Sequence, residues 1–250
     1  MNKQISEEIG FVFIHGAGLE SLVWNKVVED FKHPCLLANY PGRKGSLDSR
    51  SDLTLEDYVA HIKQQVDNWG THHIVLVAHS LGGVLALKLA SLLSDRLAGI
   101  VAVGAAIPRN GGSFLSALPF PQRLLLPVIL RAAGTKPPAS SMRTGLCSDL
   151  SPEQAAGIIE GFIPEAVRVY TDRINVPIPS VPKLYVSLSK DKEFSPSLQD
   201  KMISNFTPQT VRNLETGHLP MISDPEGLKS ILEEFLMEQL RERDSIVLHS

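Results

Sequence analysis

Cysteine is scarce in this chain. Two residues in 250, Cys35 and Cys147, supply neither a disulfide framework nor the paired spacing of a zinc site. Both are expected to be ordinary reduced thiols, and no metal is implied. Long apolar runs are missing as well. The richest, Leu124 to Leu130, is interrupted by Pro127 and falls far short of the roughly 20 residues a bilayer-spanning helix requires. Basic runs are absent: 24 Lys and Arg stand against 27 Asp and Glu, for a net charge of -3, which argues against a nucleic-acid partner. Met1 to Gly10 lacks the basic-then-apolar layout of a secretory signal, so a cytoplasmic location is expected. There is no G-x-G-x-x-G and no Walker lysine, which sets nucleotide binding aside. Internal repeats and low-complexity segments are also lacking.

What is present is a hydrophobic content of 43%, enough to bury one full core. Ile9 to Ile14 is an almost unbroken apolar run that reads as a strand buried on both faces. Leu22 to Phe31 reads as helical, with Leu22, Val23, Val27 and Phe31 on one face. Cys35 to Tyr40 is a second strand candidate, ended by Pro41-Gly42. Thr54 opens a helix with a capping box completed by Asp57, and Tyr58, Ile62, Val66 and Trp69 continue its apolar face. His73 to His79 and Leu97 to Gly104 are further strands, with Leu81 to Leu93 helical between them. After the fourth strand the alternation stops. Residues 108–182 are rich in proline and show no strand, too long a stretch for a bare loop. They are read as a small helical cap. A strand at Lys183 to Ser189, a helix near Ser195 to Asn205, a strand at Gln209 to Leu214 and a last helix from Pro220 to about Arg241 follow. The tail from Asp244 is expected to be loose. The whole predicts an α/β fold, a doubly wound and mainly parallel sheet, with residues 1–107 and 183–250 as its core and 108–182 as the cap.

The central chemical signal is Ala78-His79-Ser80-Leu81-Gly82-Gly83, lying between a buried strand and a helix. That is the setting of a nucleophile elbow, in which a serine occupies a strained turn and its neighbours two residues away must be small. Ala78 and Gly82 meet that demand. The turn presents Ser80 at the carboxyl end of the sheet, and the amide of Leu81 at the start of a helix can hold a developing anion. His15-Gly16-Ala17-Gly18 follows the first strand, and the amide of Ala17 is the second expected donor of an oxyanion hole. His15 itself is expected to brace that loop. A serine needs a base, and the base needs an orienting acid. His218, in Gly217-His218-Leu219-Pro220 after the last strand, stands where this fold places the base. Asp191, just past the preceding strand, is the acid of choice. Glu193 is the fallback in the same turn, and Asp149 is a weaker outside candidate.

Taken together, these segments resemble the α/β-hydrolase superfamily. Leu53 to Tyr58, Lys190-Asp191-Lys192 and Gly217 to Met221 with Asp224-Pro225 further on look like the branch of plant methyl-ester hydrolases, hydroxynitrile lyases and bacterial pyrethroid-type carboxylesterases. The resemblance spans nearly the whole chain and is thin in the cap. It implies a triad of Ser80, Asp191 and His218, a hole formed by Ala17 and Leu81, and hydrolysis of a small to medium apolar or aromatic carboxylic ester without metal or organic cofactor. Gly16, His79, Phe114, Leu118, Phe120, Leu124, Met142 and Leu219 are the residues expected to bound the substrate, and Leu115 and Leu126 join the apolar residues of the cap that would suit such an ester. The lyases of the branch carry Thr after the first His and Lys after the catalytic His; Gly16 and Leu219 stand there in this chain, which favours ester hydrolysis. The related dehalogenases and epoxide hydrolases carry Asp in place of Ser80. A ligand receptor built on the same scaffold with little turnover, and a lyase using the same triad, are the competing readings. The sequence carries no signature of oligomeric state.

Overall fold

The computed structural model describes residues 9–43 and 50–247. Met1 to Glu8, most of the stretch Met1 to Gly10 that lacks the layout of a secretory signal, lies outside them. Six strands form one all-parallel sheet: β1 (Ile9–Ile14), β2 (Cys35–Leu37), β3 (His73–His79), β4 (Leu97–Val103), β5 (Lys183–Leu188) and β6 (Thr210–Leu214), in the order β2-β1-β3-β4-β5-β6. Successive side chains on a strand point to opposite faces, and the core divides accordingly. Val12, Ile14, Leu76 and Ala78 pack on one face with α2 (Leu55–Trp69), α3 (Gly82–Leu93) and α9 (Pro196–Phe206). Phe11, Phe13, Val75 and Val77 pack on the other with α1 (Asn25–Val28), α10 (Pro220–Ser223) and α11 (Pro225–Val247). The expected α/β architecture is therefore observed, with helices on both faces.

The sheet order also locates the crevice. The chain leaves β1 toward β2 on one side and returns to β3 on the other, so the loops after β1 and β3 diverge at a topological switch point, where open α/β sheets bind ligands. His15 to Gly18 and Ser80 sit on those two loops.

Local structure departs from expectation at five places. Leu22 to Phe31 is not one helix but a tight 3-10 turn (Ser21–Trp24) followed by α1. Three-residue periodicity places Ser21 and Trp24 on the same face. Both are buried, with Trp24 against Phe13, whereas Leu22 is 64% exposed. The second strand stops at Leu37, because Asn39 turns away to accept a bond from Ser21 and to donate its amide to Gln65. The last helix is two. Pro225 has no N–H to continue α10, and Asp224 caps the new start by accepting from the Gly227 amide at 3.0 Å. α11 then continues through Asp244 to Val247, so the expected loose tail is helical as far as it is described. Leu124 to Leu130, read as broken at Pro127, lies within the continuous helix α5 (Gln122–Ala133). Between β4 and β5 the chain also forms α4 (Phe114–Ala117), α6 (Ala139–Thr144), α7 (Pro152–Glu160) and α8 (Val167–Thr171). The capping box at Thr54 forms as expected, with the Asp57 amide donating to Thr54 Oγ1 and the Thr54 amide donating to Asp57 Oδ2.

Candidate active site

Ser80 adopts φ 52°, a left-handed conformation uncommon outside glycine and costing on the order of 1–3 kcal/mol. Its carbonyl accepts from the amides of Gly83 at 3.1 Å and Ala106 at 2.9 Å. The turn is held from beneath by close backbone approach: a Cβ at Gly82 would sit 2.6 Å from the Ile14 carbonyl oxygen. The requirement for a small residue there is thus steric, imposed by β1 rather than by the turn alone.

The Ser80 hydroxyl lies 3.0 Å from His218 Nε2, and His218 Nδ1 lies 2.7 Å from Asp191 Oδ2. All three side chains are buried. The carboxylate next to Nδ1 fixes the tautomer: Nδ1–H donates to Asp191, leaving the Nε2 lone pair free to accept from Ser80. Asp191 is itself fixed, because its Oδ1 accepts from the amides of Glu193 at 2.8 Å and Phe194 at 2.9 Å. Burial disfavours the charged form of His218, but the Asp191 carboxylate outweighs it and the pKa is raised above the ordinary histidine value. Glu193 is exposed and gives the cluster its backbone amide. Asp149 accepts from the Gly217 amide, so it holds the loop that carries His218 and does not touch the ring.

His79 is not at the substrate surface. Its Nε2–H donates to the His218 carbonyl at 2.7 Å, and burial holds its pKa well below the usual histidine range. It stays neutral and anchors the backbone of His218. His15 is equally buried, with its pKa pushed down to about 3. Its ring packs on Tyr40 at a tilt of 36°, with centroids 3.9 Å apart, and its carbonyl accepts from the Tyr40 hydroxyl.

Among the described residues, no protein acceptor takes the amide of Ala17 or of Leu81. The loop carrying Ala17 is braced by Glu165, a residue that the sequence motifs do not single out. This buried carboxylate accepts from the Gly18 amide at 3.1 Å, from Arg43 at 2.6 Å and from the Tyr58 hydroxyl at 2.9 Å. Burial raises its pKa, opposed by Arg43, Tyr58 and Gly18. Gly18 has φ 76°, and a Cβ on it would run into the Phe162 ring. The one clue available in the sequence was an isolated acid in the otherwise unacidic stretch between Glu160 and Asp172.

A cavity of about 320 Å³ opens over Ser80 and His218. Its wall includes Ala17, Phe114, Leu115, Leu126, Leu130, Met142, Leu146, Phe162, Tyr170 and Phe194. Of the expected substrate contacts, Phe114 and Met142 are part of this wall. The others are not. Leu118 is buried in the core, because α4 ends just before it and turns it inward. Phe120 and Leu124 face outward. Leu219 is fully buried in the hydrophobic core and does not reach the cavity. Gly16 lies against His79 and the Ser80 Cβ, where it spaces the two loops. Leu115 and Leu126, also expected among the apolar residues of the cap, are part of the wall too; pattern reading does not single out Phe162, Tyr170 and Leu130, which carry only the general signature of apolar bulk.

A strained serine bonded to a histidine, itself bonded to a carboxylate, at the carboxyl edge of a parallel sheet is an arrangement for nucleophilic acyl chemistry. The chain belongs to the α/β hydrolase family, whose model matches residues 11–230. It is 24% identical to a putative chloroplastic methylesterase 13 of Arabidopsis thaliana, in an alignment covering 92% of this chain and 56% of that longer protein. It is likewise 24% identical to a pheophorbidase of Raphanus sativus, covering 90% of this chain and 92% of the relative. Among solved structures, an extracellular α/β-hydrolase from a Paenibacillus species superposes with a TM-score of 0.81 at 18% identity, covering 90% of this chain and 98% of that one. The branch suggested by the sequence motifs is the one in which these relatives fall.

Proposed function

We propose that the chain is a serine carboxylesterase acting on small to medium apolar or aromatic esters. Ser80 is the nucleophile, His218 the general base, Asp191 the acid that orients it, and the amides of Ala17 and Leu81 receive the oxyanion. The observation that carries this reading is the continuous hydrogen-bonded relay from the Ser80 hydroxyl through His218 to Asp191, at the floor of an apolar cavity. Similarity to proteins described as a methylesterase and a pheophorbidase supports it. So does the cavity volume, at the small end of the range of ligand pockets.

In the first half-reaction the Ser80 oxygen attacks the ester carbonyl carbon while its proton passes to His218 Nε2. The carbonyl oxygen becomes an oxyanion, and two fixed N–H donors stabilise it without reorganisation. The tetrahedral centre collapses, the bond to the alcohol oxygen breaks, and His218 returns the proton to that oxygen. Water then attacks the acyl-enzyme, giving a proton to His218, which passes it back to Ser80 as the acid departs. Asp191 keeps its negative charge throughout and stabilises the imidazolium. Residues 108–182 act as a cap, since most of the cavity wall comes from them.

The test is hydrolysis of p-nitrophenyl butyrate. The unaltered chain should show a burst and steady turnover, and Ser80→Ala should lose roughly 10⁴-fold or more in kcat. A fluorophosphonate should add mass only to the peptide containing Ser80. Failure of the intact chain to turn over any short- or medium-chain ester would return it to the ligand-receptor reading.

A further inference from the structure

α5 has two apolar sides. Leu126 and Leu130 line the cavity over Ser80, while Leu124, Leu125, Val128 and Ile129 face outward, each at least 50% exposed. Beside this ridge runs a groove of about 420 Å³ between α4, α5 and α8, to which Arg123, Arg131 and Arg173 contribute. Among the described residues none of these arginines has an acidic partner, and no carboxylate lines the groove. The charge pattern of the chain agrees. It is net negative, yet no Asp or Glu occurs from Leu97 to Ser148, a stretch holding Arg109, Arg123, Arg131, Lys136 and Arg143.

We propose that this face docks on a lipid surface bearing anionic headgroups, with the α5 ridge entering the acyl boundary and the arginine groove receiving headgroup phosphates. Apolar residues flanked by arginines on one helix are what in-plane interfacial binding requires, and basic residues at the surface add electrostatic attraction to acidic lipids. A second copy of the chain suits the face poorly. A two-fold interface would set the same unpaired arginines near each other, with no acid in the stretch to neutralise them. The docking does not depend on the proposed hydrolysis.

Co-sedimentation of the full chain with vesicles tests it, using phosphatidylcholine alone and phosphatidylcholine mixed with phosphatidylglycerol. The chain should pellet with the mixed vesicles only, and less so at high salt. Leu125→Ser with Val128→Ser, and separately Arg123→Gln with Arg131→Gln and Arg173→Gln, should each weaken binding at least about tenfold. Val128→Ser alone, an exposed single change, should weaken it in the same direction. Leu22→Ser, at an exposed leucine on another face, should leave binding unchanged. Three results overturn the proposal: no association with mixed vesicles, equal association with both lipids regardless of the arginines, or a dimer in vesicle-free sedimentation that the α5 substitutions dissociate.

Discussion

α3 and α5 are both twelve-residue helices rich in leucine, yet α3 buries nine of its residues and α5 none. The difference lies in what surrounds them. α3 begins with Gly82 and Gly83, which allow backbone contact with β1 and with the segment after β4, and it is enclosed by α2, β1, β3 and β4. α5 has no glycine, carries a proline at its centre and packs chiefly on α4 and α8. Apolar content is therefore a poor guide to burial unless small residues let neighbours close in. The contrast extends to the site: the sheet and its loops carry Ser80, His218 and Asp191, and the segment between β4 and β5 supplies most of the cavity wall.

The sharpest break between the two regions should come from the sheet side. Asp191→Asn removes the acceptor that fixes the His218 tautomer and should lower kcat by about 10⁴-fold. Glu193→Gln, whose side chain does not touch the ring, should stay within about tenfold. Steady-state kinetics on one p-nitrophenyl ester decides between them, and the reverse ranking would move the acid to Glu193. Next comes Leu85→Ala in the middle of α3, a fully buried position, which should cost about 2–5 kcal/mol in urea unfolding.

Glu165 is where the division between frame and wall is crossed, since an acid from the segment between β4 and β5 holds the loop after β1. Glu165→Gln leaves Arg43 partly uncompensated in a buried setting and should cost about 3 kcal/mol. If the carboxylate positions the Ala17 amide, kcat should also fall at nearly constant KM. A fall in stability alone would assign Glu165 a purely structural part.

The buried histidines give a smaller effect with a definite sign. His15 and His79 have folded-state pKa values below the unfolded value, His15 at about 3. As pH falls below about 6.5 the unfolded chain binds protons that the folded chain does not, so stability drops by about 1.4 kcal/mol per pH unit for each. His218 is the opposite case: its folded pKa is raised, so its contribution is complete below about 6.5 and is lost as pH rises through the folded value. Urea midpoints between pH 7 and pH 5 should fall, and His15→Gln should reduce the slope; an unchanged slope would contradict the assignment. For the same reason, kcat/KM should lose activity on the acid side at a pH above the ordinary histidine value, and that limb belongs to His218.

The sheet and the Ser80 relay were legible in the sequence because each requires something of its residues that few alternatives satisfy. A strand buried on both faces needs an unbroken apolar run, as in Ile9 to Ile14. The turn at Ser80 needs small residues at Ala78 and Gly82. The cavity wall requires only bulk, and many side chains supply it. Apolar bulk therefore points to Phe114 and Met142 and equally to Leu118, Phe120 and Leu124, which face elsewhere, and it does not single out Phe162 and Tyr170. Glu165 was illegible for another reason. Its partners Gly18, Arg43 and Tyr58 are distant in sequence, and no local pattern records a contact that only the fold creates.

The smallest expected effect isolates what α5 is for. If Val128 stabilised the fold, as Leu85 does, Val128→Ala would lower stability by an amount that urea unfolding resolves. At 64% exposure the side chain surrenders little water-excluded area on folding, and alanine is the better helix former, so the net change should stay within about 0.5 kcal/mol. A larger loss would mean that the outer face of α5 is covered by protein in solution, and the contrast with α3 would narrow to a difference in packing partners. A change near zero leaves an apolar ridge that the folded chain does not use for stability, consistent with a surface kept for contact with something outside the chain.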